Sequence, residues 1–549
     1  ILTDADISGN IDVDGVTNLD VVDVDGAVNF AADVTFADGA DIITASAGTS
    51  NFRAGVNTGN SIASGGNYNV FVGDEAGTAT TTGDNNVAIG YAALDAATNS
   101  SNLTAIGYNA LTALTATGDN LSTAVGAQAL AALTNGFHNV AVGYGSLDAS
   151  THGERNIAVG RDALGADTKG NYSTAIGDAT LSTQNFTSDT DVYNTAVGYQ
   201  AGTAVTTGIN NTLMGGRAGD AFTDGSSNTG IGVGALSTDT RGSRGTAVGH
   251  NALATQNLTS QVDTYNTAVG YAAGLILSTG IENTLIGGLA GDALTDADYN
   301  IAIGVAALSS DTKGNRNVAI GYHALVLQNF GSSTDSYNVA VGYAAGGAVT
   351  SGTANTFLGF LSGANVTSGG GNIMIGQAEG SAAGTAHQIV IGNSQVSGVG
   401  QDNFTFGRAT LDSNIAFGAT SISAPSDERL KEDIQDETIG LAFINELRPV
   451  TFQWKKEKDI PSDMKAYVAD SETRVMNGKY NHGFIAQEVK SVIDKYDIKD
   501  GLGLWLESGE DKRQRLAEGE LIPFLVKAVQ ELSAKNDALE ARIKTLEGE

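Results

Sequence analysis

A five-residue segment that ends in glycine, such as Asn86–Gly90, recurs nineteen times between residues 67 and 392. In every copy the residue three places before the glycine is Val, Ile or Thr, and the residue one place before it is Val, Ile, Leu or Met. The residue between them is Ala in 12 of the 19 copies. Because successive strand residues point to opposite faces, this alternation predicts a short β-strand in each copy.

The spacing of these segments predicts how the strands are arranged. The closing glycines are mostly 17 residues apart, and every fourth interval in the middle is 21, which gives a longer period of 72 residues. Short strands separated by turns at a fixed interval are typical of a parallel β-solenoid with one coil per repeat. We therefore predict an all-β parallel solenoid of nineteen coils within residues 51–400, roughly 90 Å long at about 4.8 Å per coil.

Two residues of the repeat predict its corners. The closing glycine allows a turn with positive φ, and the asparagine four places before it, present in 14 of 19 copies, can bond the backbone or its neighbour in the next coil. The alanines are expected to form a strand face that meets another surface closely. One coil buries little by itself, so self-association of rods would cover this strip.

Composition divides the chain near residue 425. Before Ser426 there are 10 Lys and Arg against 35 Asp and Glu, and from Ser426 onward there are 19 against 26. All four prolines and both tryptophans lie at or beyond residue 425. We predict the repeat region, a connector over residues 401–425, and a separate domain over residues 426–549.

Charge and residue usage exclude several classes of function. The formal net charge is -32, whereas nucleic acids and anionic membranes require clustered basic residues. With 0 Cys there is no disulfide scaffold and no cysteine nucleophile. No apolar run is long enough for a membrane span. The sequence begins at Ile1 rather than Met, and we interpret it as a fragment or a processed form.

Residues 1–50 are rich in Asp and Val and form a predicted β shaft segment. The pairs Asp12/Asp14 and Asp23/Asp25 resemble calcium ligands, but the remaining positions of an EF-hand loop are missing. A plain alternating strand is the favoured interpretation. No metal site and no cofactor is predicted for the chain.

Two kinds of exposed feature are candidates for receptor binding. Seven closing glycines are followed by Tyr, which favours a structural ladder of stacked rings over a set of sugar platforms. The 21-residue intervals add four residues at one place, in segments 183–193, 255–265 and 327–337, and such additions form either a binding loop or a tolerated insertion. Their candidate receptor residues are Asn185, Phe186, Tyr193, Asn257, Leu258, Tyr265, Asn329, Phe330 and Tyr337.

Hydrolysis of a glycan by the repeat region would require a pair of carboxylates about 5 to 10 Å apart. The glutamates before residue 426 are scattered over different coils, and no pair of aspartates stands out. The repeat region therefore carries no glycosidase signature.

Three motifs mark the C-terminal domain. It opens with Ser426-Asp-Glu-Arg-Leu-Lys431, continues through Leu447-Arg-Pro449, and later contains His482-Gly-Phe-Ile-Ala-Gln-Glu488. These stretches resemble the intramolecular chaperone of the endosialidase type, an auto-processing domain that ends many bacteriophage tail spikes and fibres. The repeats resemble the β-roll heads of trimeric autotransporter adhesins, whose coils are shorter.

The resemblance to the endosialidase-type chaperone implies self-cleavage by a Ser/Lys dyad. Carried over, Ser426 is the nucleophile, Lys431 the base and Pro425–Ser426 the scissile bond. The matching chaperone motif residues are Asp427, Arg429, His482, Gly483, Gln487 and Glu488. An uncharged lysine amine can accept the proton of a hydroxyl group, so the chemistry is sound. The alternative interpretation makes Ser426 the N-cap of a helix.

The last residues indicate a coiled coil over 520–547. Ile522, Val529, Asn536 and Ile543 alternate with Leu525, Leu532, Leu539 and Leu546 at heptad a and d positions. Mixed seams of this kind do not fix the number of strands, and three agree with the resemblance.

Together these features predict a phage tail fibre or spike: a homotrimeric β-solenoid that binds a glycan or protein receptor on the host surface, followed by a small α+β chaperone domain. The expected partners are two further copies of the chain, the host receptor and other tail proteins of the virion, with no nucleic acid and no membrane insertion. The chaperone domain would be made in the host cytoplasm and released by a single-turnover cleavage. A polysaccharide depolymerase and a cell-surface adhesin remain alternatives.

Overall fold

The computed structural model describes residues 46–548, except 410, 420, 421, 425, 497, 499–501 and 509–511. The chain divides into two compact units, residues 1–425 and 426–549. Residues 1–45 of the predicted shaft segment, which include the Asp12/Asp14 and Asp23/Asp25 pairs, and Pro425 of the expected scissile bond lie outside the described residues.

The first unit is a parallel β-solenoid of about 21 turns with coils of about 17 residues, here called the rod. Each strand pairs in register with the strand of the next coil, as in Val87 opposite Thr104. The nineteen predicted coils are extended by one strand at each end. The parallel strands are Phe52–Ala54, Val70–Val72, Val87–Ile89, Thr104–Ile106, Thr123–Val125, Val140–Val142, Ile157–Val159, Thr174–Ile176, Thr195–Val197, Thr212–Met214, Thr229–Ile231, Thr246–Val248, Thr267–Val269, Thr284–Ile286, Ile301–Ile303, Val318–Ile320, Val339–Val341, Thr356–Leu358, Ile373–Glu379, Ile389–Ser397 and Asn403–Arg408. The last of them pairs antiparallel with Leu411–Ala416.

Four pairs of two-residue strands interrupt the regular coil. Three of them fall at the 21-residue intervals, where the added residues extend the wall of the rod by a second, short parallel ladder. The pairs are Ser100–Ser101 with Gly118–Asp119, Gly170–Asn171 with Thr190–Asp191, Gly242–Ser243 with Val262–Asp263, and Gly314–Asn315 with Thr334–Asp335.

The interior of the rod corrects one prediction about the strand faces. The alanines expected to meet another surface, such as Ala88 and Ala141, are fully buried inside the coil. The flanking β-branched residues, such as Ile89, point outward and are partly exposed. The coil is narrow, so a small residue fits where the strand faces a buried Leu from the corner, such as Leu94.

In some coils a large strand residue is accompanied by a smaller corner residue. Where the strand carries Phe71 or Phe357 instead of Ala, the corner position four residues after the closing glycine is Gly77 or Gly363 instead of Leu. A Cβ added to Gly77 would lie 2.6 Å from the ring of Phe71. Close packing of this kind leaves no room for a second large side chain.

The predicted asparagine corners form a buried ladder. Nδ2 of Asn156 donates a hydrogen bond of 2.8 Å to the carbonyl of Gly170. The backbone N–H of Asn156 donates another, of 3.0 Å, to Oδ1 of Asn139. Each side chain therefore satisfies backbone groups within its own coil and in the next one. The prediction that these amides bond the backbone and their neighbours is confirmed.

The tyrosine ladder is also confirmed where tyrosines occupy adjacent coils. The ring centroids of Tyr91 and Tyr108 are 5.8 Å apart and those of Tyr322 and Tyr343 are 5.3 Å apart, all nearly parallel. These rings are about half exposed on the outer surface.

The second unit is a small α+β domain around Phe443, whose ring lies 5.3 Å from those of Tyr496 and Phe524. Its elements are the 3-10 turn Glu428–Leu430, helix Leu441–Glu446, strand Val450–Phe452, 3-10 turn Glu457–Asp459, strand Asn481–Gly483, helix Ala486–Ile493, strands Trp505–Ser508 and Arg513–Leu516, 3-10 turn Glu518–Leu521 and helix Ile522–Glu547. Both strand pairs are antiparallel. Among the described helices none is long and apolar enough to cross a bilayer.

Candidate functional site

Ser426 and Lys431 lie side by side at the start of the second unit. Nζ of Lys431 donates a hydrogen bond of 2.7 Å to Oγ of Ser426. The residues are five apart in sequence, and the 3-10 turn Glu428–Leu430 lies between them. The turn thereby brings the amine to the hydroxyl group.

Asp427 and Arg429 hold this turn together. Oδ1 of Asp427 accepts the backbone N–H of Arg429 at 2.9 Å, and its carboxylate also pairs with the guanidinium of Arg429. These bonds to Arg429 lower the pKa of Asp427. Asp427, not Ser426, is therefore the N-cap of the turn, which leaves the hydroxyl of Ser426 to Lys431.

The pair of Ser426 and Lys431 is exposed to solvent. In the charged form, the lysine ammonium donates to the hydroxyl oxygen, as observed. In the uncharged form, the amine at the same distance could accept the hydroxyl proton and generate a nucleophilic alkoxide. The geometry therefore suits a general base, provided that the amine loses its proton.

The other chaperone motif residues lie in a different part of the unit. His482 is exposed and pairs opposite Thr451, and Gly483 pairs opposite Val450. Gln487 is exposed in the following helix. In the described part of the unit, no hydrogen bond or ion pair joins these three residues to the Ser426 hydroxyl or the Lys431 amine.

Glu488 fastens that helix to the segment before strand Val450–Phe452. Nε of Arg448 donates a hydrogen bond of 2.9 Å to Oε2 of Glu488, and the guanidinium also pairs with Oε1. This bidentate ion pair lowers the pKa of Glu488. The position of Glu488 indicates a role in holding the unit together.

The candidate receptor residues of the rod separate into exposed and buried members. Phe186, Leu258 and Phe330 are only 6–8% exposed and pack into the wall of the rod. Asn185, Asn257 and Asn329 are exposed, and each Oδ1 accepts the hydroxyl of a Thr 17 residues earlier. Tyr193, Tyr265 and Tyr337 are about half exposed and project from the surface. The outward-facing set therefore consists of the asparagines and tyrosines.

A buried carboxylate network behind these loops was not expected from the sequence. Asp167 is 1% exposed, and its Oδ2 accepts Nε2 of Gln184 at 2.6 Å. Oε1 of Gln184 in turn accepts Nδ2 of Asn194 at 2.9 Å. The same chain of bonds recurs one and two 72-residue periods later, as Asp239–Gln256–Asn266 and Asp311–Gln328–Asn338. The signal in the sequence is the constant spacing of 17 residues between Asp and Gln.

The described residues contain no group of three or more His, Asp or Glu side chains that could hold a metal ion. The buried aspartates are instead satisfied by amide and backbone donors. Oδ1 of Asp167, for example, accepts the backbone N–H of Gly170 at 3.0 Å.

Comparison with known proteins identifies one segment of the chain. No curated protein and no solved structure matches the chain. Residues 426–498 match the sequence model of the family described as the chaperone of endosialidase. The match begins at Ser426, the residue whose hydroxyl contacts Lys431. The second unit thus contains a segment similar to the endosialidase chaperone family.

Proposed function

We propose that this chain is a phage tail fibre or spike protein whose C-terminal unit assembles a trimeric rod and then releases itself. The observation that carries the proposal is the 2.7 Å contact between Lys431 Nζ and Ser426 Oγ, located at the first residue of the endosialidase chaperone match.

The proposed cleavage uses the residues at this contact. Uncharged Lys431 takes the proton of Ser426, and Oγ attacks the carbonyl carbon of Pro425. The amide bond between Pro425 and Ser426 breaks as the ester forms, and the lysine returns the proton to the new amine. Water then hydrolyses the ester, which leaves a carboxylate on Pro425 and restores the hydroxyl of Ser426.

Exposed apolar surface supports assembly into a homotrimer. Leu532, Leu539 and Ile543 are at least half exposed on the helix Ile522–Glu547, and they belong to the heptad seam. On the rod, the outward residue before each closing glycine forms a second apolar stripe along the coils, as at Ile89 and Ile286. Large contiguous apolar surfaces mark interaction sites, and two further copies of the chain would cover both.

Assembly of three acidic rods gives a separate folding unit a physical task. The rod carries most of the net charge of -32, and like charges oppose association. In the proposed virion the mature rod would attach to other tail proteins and contact a host receptor. The released C-terminal unit would stay in the host cytoplasm.

The test is the intact mass of the protein after expression of the full chain. We expect the loss of residues 426–549 from the wild type and an uncleaved product from both Ser426→Ala and Lys431→Ala. Glu432→Gln, an exposed neighbour, is the matched control and should cleave normally. An uncleaved wild type in correctly folded trimers, or a cleaved Ser426→Ala variant, would overturn the proposed cleavage.

Expression of residues 1–425 alone tests the chaperone role separately. We expect aggregated protein, because the unit that assembles the rods is missing. Soluble trimers from this fragment would contradict a folding role for residues 426–549, whatever the outcome of the cleavage experiment.

A further inference from the structure

The 72-residue period places the same surface cluster on the rod three times. Each copy contains a Tyr and an Asp from the 21-residue interval, namely Tyr193 with Asp191, Tyr265 with Asp263, and Tyr337 with Asp335. The tyrosine hydroxyl lies 3.2–3.5 Å from the carboxylate in all three. The copies therefore share an aromatic ring with a carboxylate beside it.

The first and third copies are filled by large side chains. In the first, the guanidinium of Arg155 lies 5.5 Å from the ring centroid of Tyr172 and bonds its hydroxyl at 3.2 Å. In the third, the guanidinium of Arg316 lies 4.8 Å from the ring centroid of Tyr299. Arg155 and Tyr299 occupy equivalent positions, 144 residues or two periods apart.

The middle copy has Ser227 at that same position, and a pocket opens there. Its volume is about 350 Å³, and it is lined by Ser226, Ser227, Ser243, Arg244, Gln261 and Asp263. This volume is at the lower end of the range of about 300–1,000 Å³ found for small-molecule sites. Ser226 likewise stands where the other copies have Glu154 and Asp298, and Ser243 where they have Asn171 and Asn315. Three smaller side chains thus distinguish the open copy from the other two.

The lining determines the chemistry of the ligand. Arg244 pairs with Asp263 and also donates a hydrogen bond of 2.9 Å to the hydroxyl of Tyr265, so the lining contains both donors and acceptors. The positive charge of Arg244 is balanced by Asp263, and the net charge of -32 disfavours an anion. The Ser226 hydroxyl and the Gln261 amide donate to the carbonyl of Asp224 at 3.4 and 3.3 Å, and Oγ of Ser243 accepts the backbone N–H of Ser226. The hydroxyl of Ser243 and the amide oxygen of Gln261 retain further donor and acceptor capacity, which an uncharged ligand rich in hydroxyl groups can use.

We propose that this pocket binds one sugar unit of a neutral saccharide through its polar lining. The half-exposed Tyr265, whose ring centroid lies 5.8 Å from the guanidinium of Arg244, is the neighbouring aromatic side chain. The inference rests on the proposed receptor-binding function of the rod and names the ligand class of its contact. Sugar rings present hydroxyl groups at their edges and C–H groups on their faces, which suits polar residues next to an aromatic ring.

The test is saturation-transfer NMR of the full-length protein with glucose, galactose, mannose and N-acetylglucosamine at millimolar concentrations. We expect saturable binding of at least one of these sugars. Ser227→Tyr should weaken it at least about tenfold, equivalent to about 1.4 kcal/mol, and should fold normally because Tyr299 occupies the equivalent position. Ser332→Tyr, an exposed site in the third copy, is the matched control and should bind as the wild type does.

Each outcome separates this inference from the proposed function. If no sugar binds, or if Ser227→Tyr binds as well as the wild type, the saccharide site is overturned. Loss of host-cell binding by Ser227→Tyr without any sugar binding would indicate a protein receptor and would also overturn it. Sugar binding at this pocket in a chain that neither cleaves nor trimerises would support the site while the proposed function fails.

Discussion

The carboxylate of Asp167 and the amide of Gln184 meet inside the rod, where Nε2 of Gln184 donates 2.6 Å to Oδ2 of Asp167. A carboxylate can only accept at this point, so it fixes the orientation of the amide. The oxygen of Gln184 is thereby turned toward Asn194. One buried charge sets the direction of hydrogen bonding across two coils.

Replacement of Asp167 by Asn should disrupt this order. The new NH₂ group would face the NH₂ of Gln184. If the Gln184 amide rotated to present its oxygen to this new group, its NH₂ would instead face the NH₂ of Asn194. We expect a loss of about 1–3 kcal/mol, the cost of an unsatisfied buried polar group, seen as a lower urea midpoint of the rod. Asp189→Asn removes an exposed carboxylate in the adjacent segment and should change stability by less than about 0.5 kcal/mol. Equal midpoints for Asp167→Asn and Asp189→Asn would contradict the role of the buried bond.

The same residue predicts a pH dependence. Burial raises the pKa of Asp167 above its usual 3.8 despite the opposing hydrogen bonds. A raised pKa in the folded state means that Asp167 contributes most stability below pH 3.8, and that this contribution is lost as the pH rises through the folded-state pKa. The stability difference between wild type and Asp167→Asn should therefore shrink from acid to neutral pH.

Urea midpoints of both proteins across this range measure the effect. Burial also raises the pKa of Asp148, Asp220 and Asp292, but these residues are common to both proteins and cancel in the difference. A difference that grows toward neutral pH would mean that the folded state holds the ionised form of Asp167 more strongly than water does.

Two adjacent glycines provide a matched test of the corner geometry. Gly215 has φ of +134° and a Cβ added to it would lie 2.5 Å from the carbonyl oxygen of Gly232, whereas a Cβ on Gly216 would meet nothing within 4 Å. Gly215→Ala combines backbone strain of about 1–3 kcal/mol with a clash against the next coil. We expect a clear drop in the thermal midpoint for Gly215→Ala and almost none for Gly216→Ala. Similar midpoints for both variants would show that the coil spacing can relax.

The sequence predicts the coil and the asparagine corners, because each depends on residues at short, fixed separations. The pairing of Ser426 with Lys431 is instead expected from the resemblance to the endosialidase-type chaperone. It does not reveal which strand face is inside. Ala88 and Ile89 are both apolar, and only the narrow width of the closed coil decides that the alanine points inward. The burial of Asp167 could not be predicted from the sequence either, because it depends on a hydrogen bond to Gln184, which lies one coil later. The pocket at Ser227 can be recognised only when the three copies of the surface cluster are compared in the structure.

The C-terminal helix offers a test of trimer formation that does not depend on cleavage. Leu539 is 56% exposed, so Leu539→Lys should not disturb the fold of a single chain, and both residues are good helix formers. In a three-stranded coil, however, it would bring three ammonium groups into an apolar seam. We expect the Ser426→Ala protein, which keeps this helix, to sediment as a trimer and its Leu539→Lys derivative to dissociate. Ala541→Lys, on the outer side of the heptad, should leave the trimer intact. A Leu539→Lys protein that stays trimeric would show that this helix seam is not what holds the three chains together.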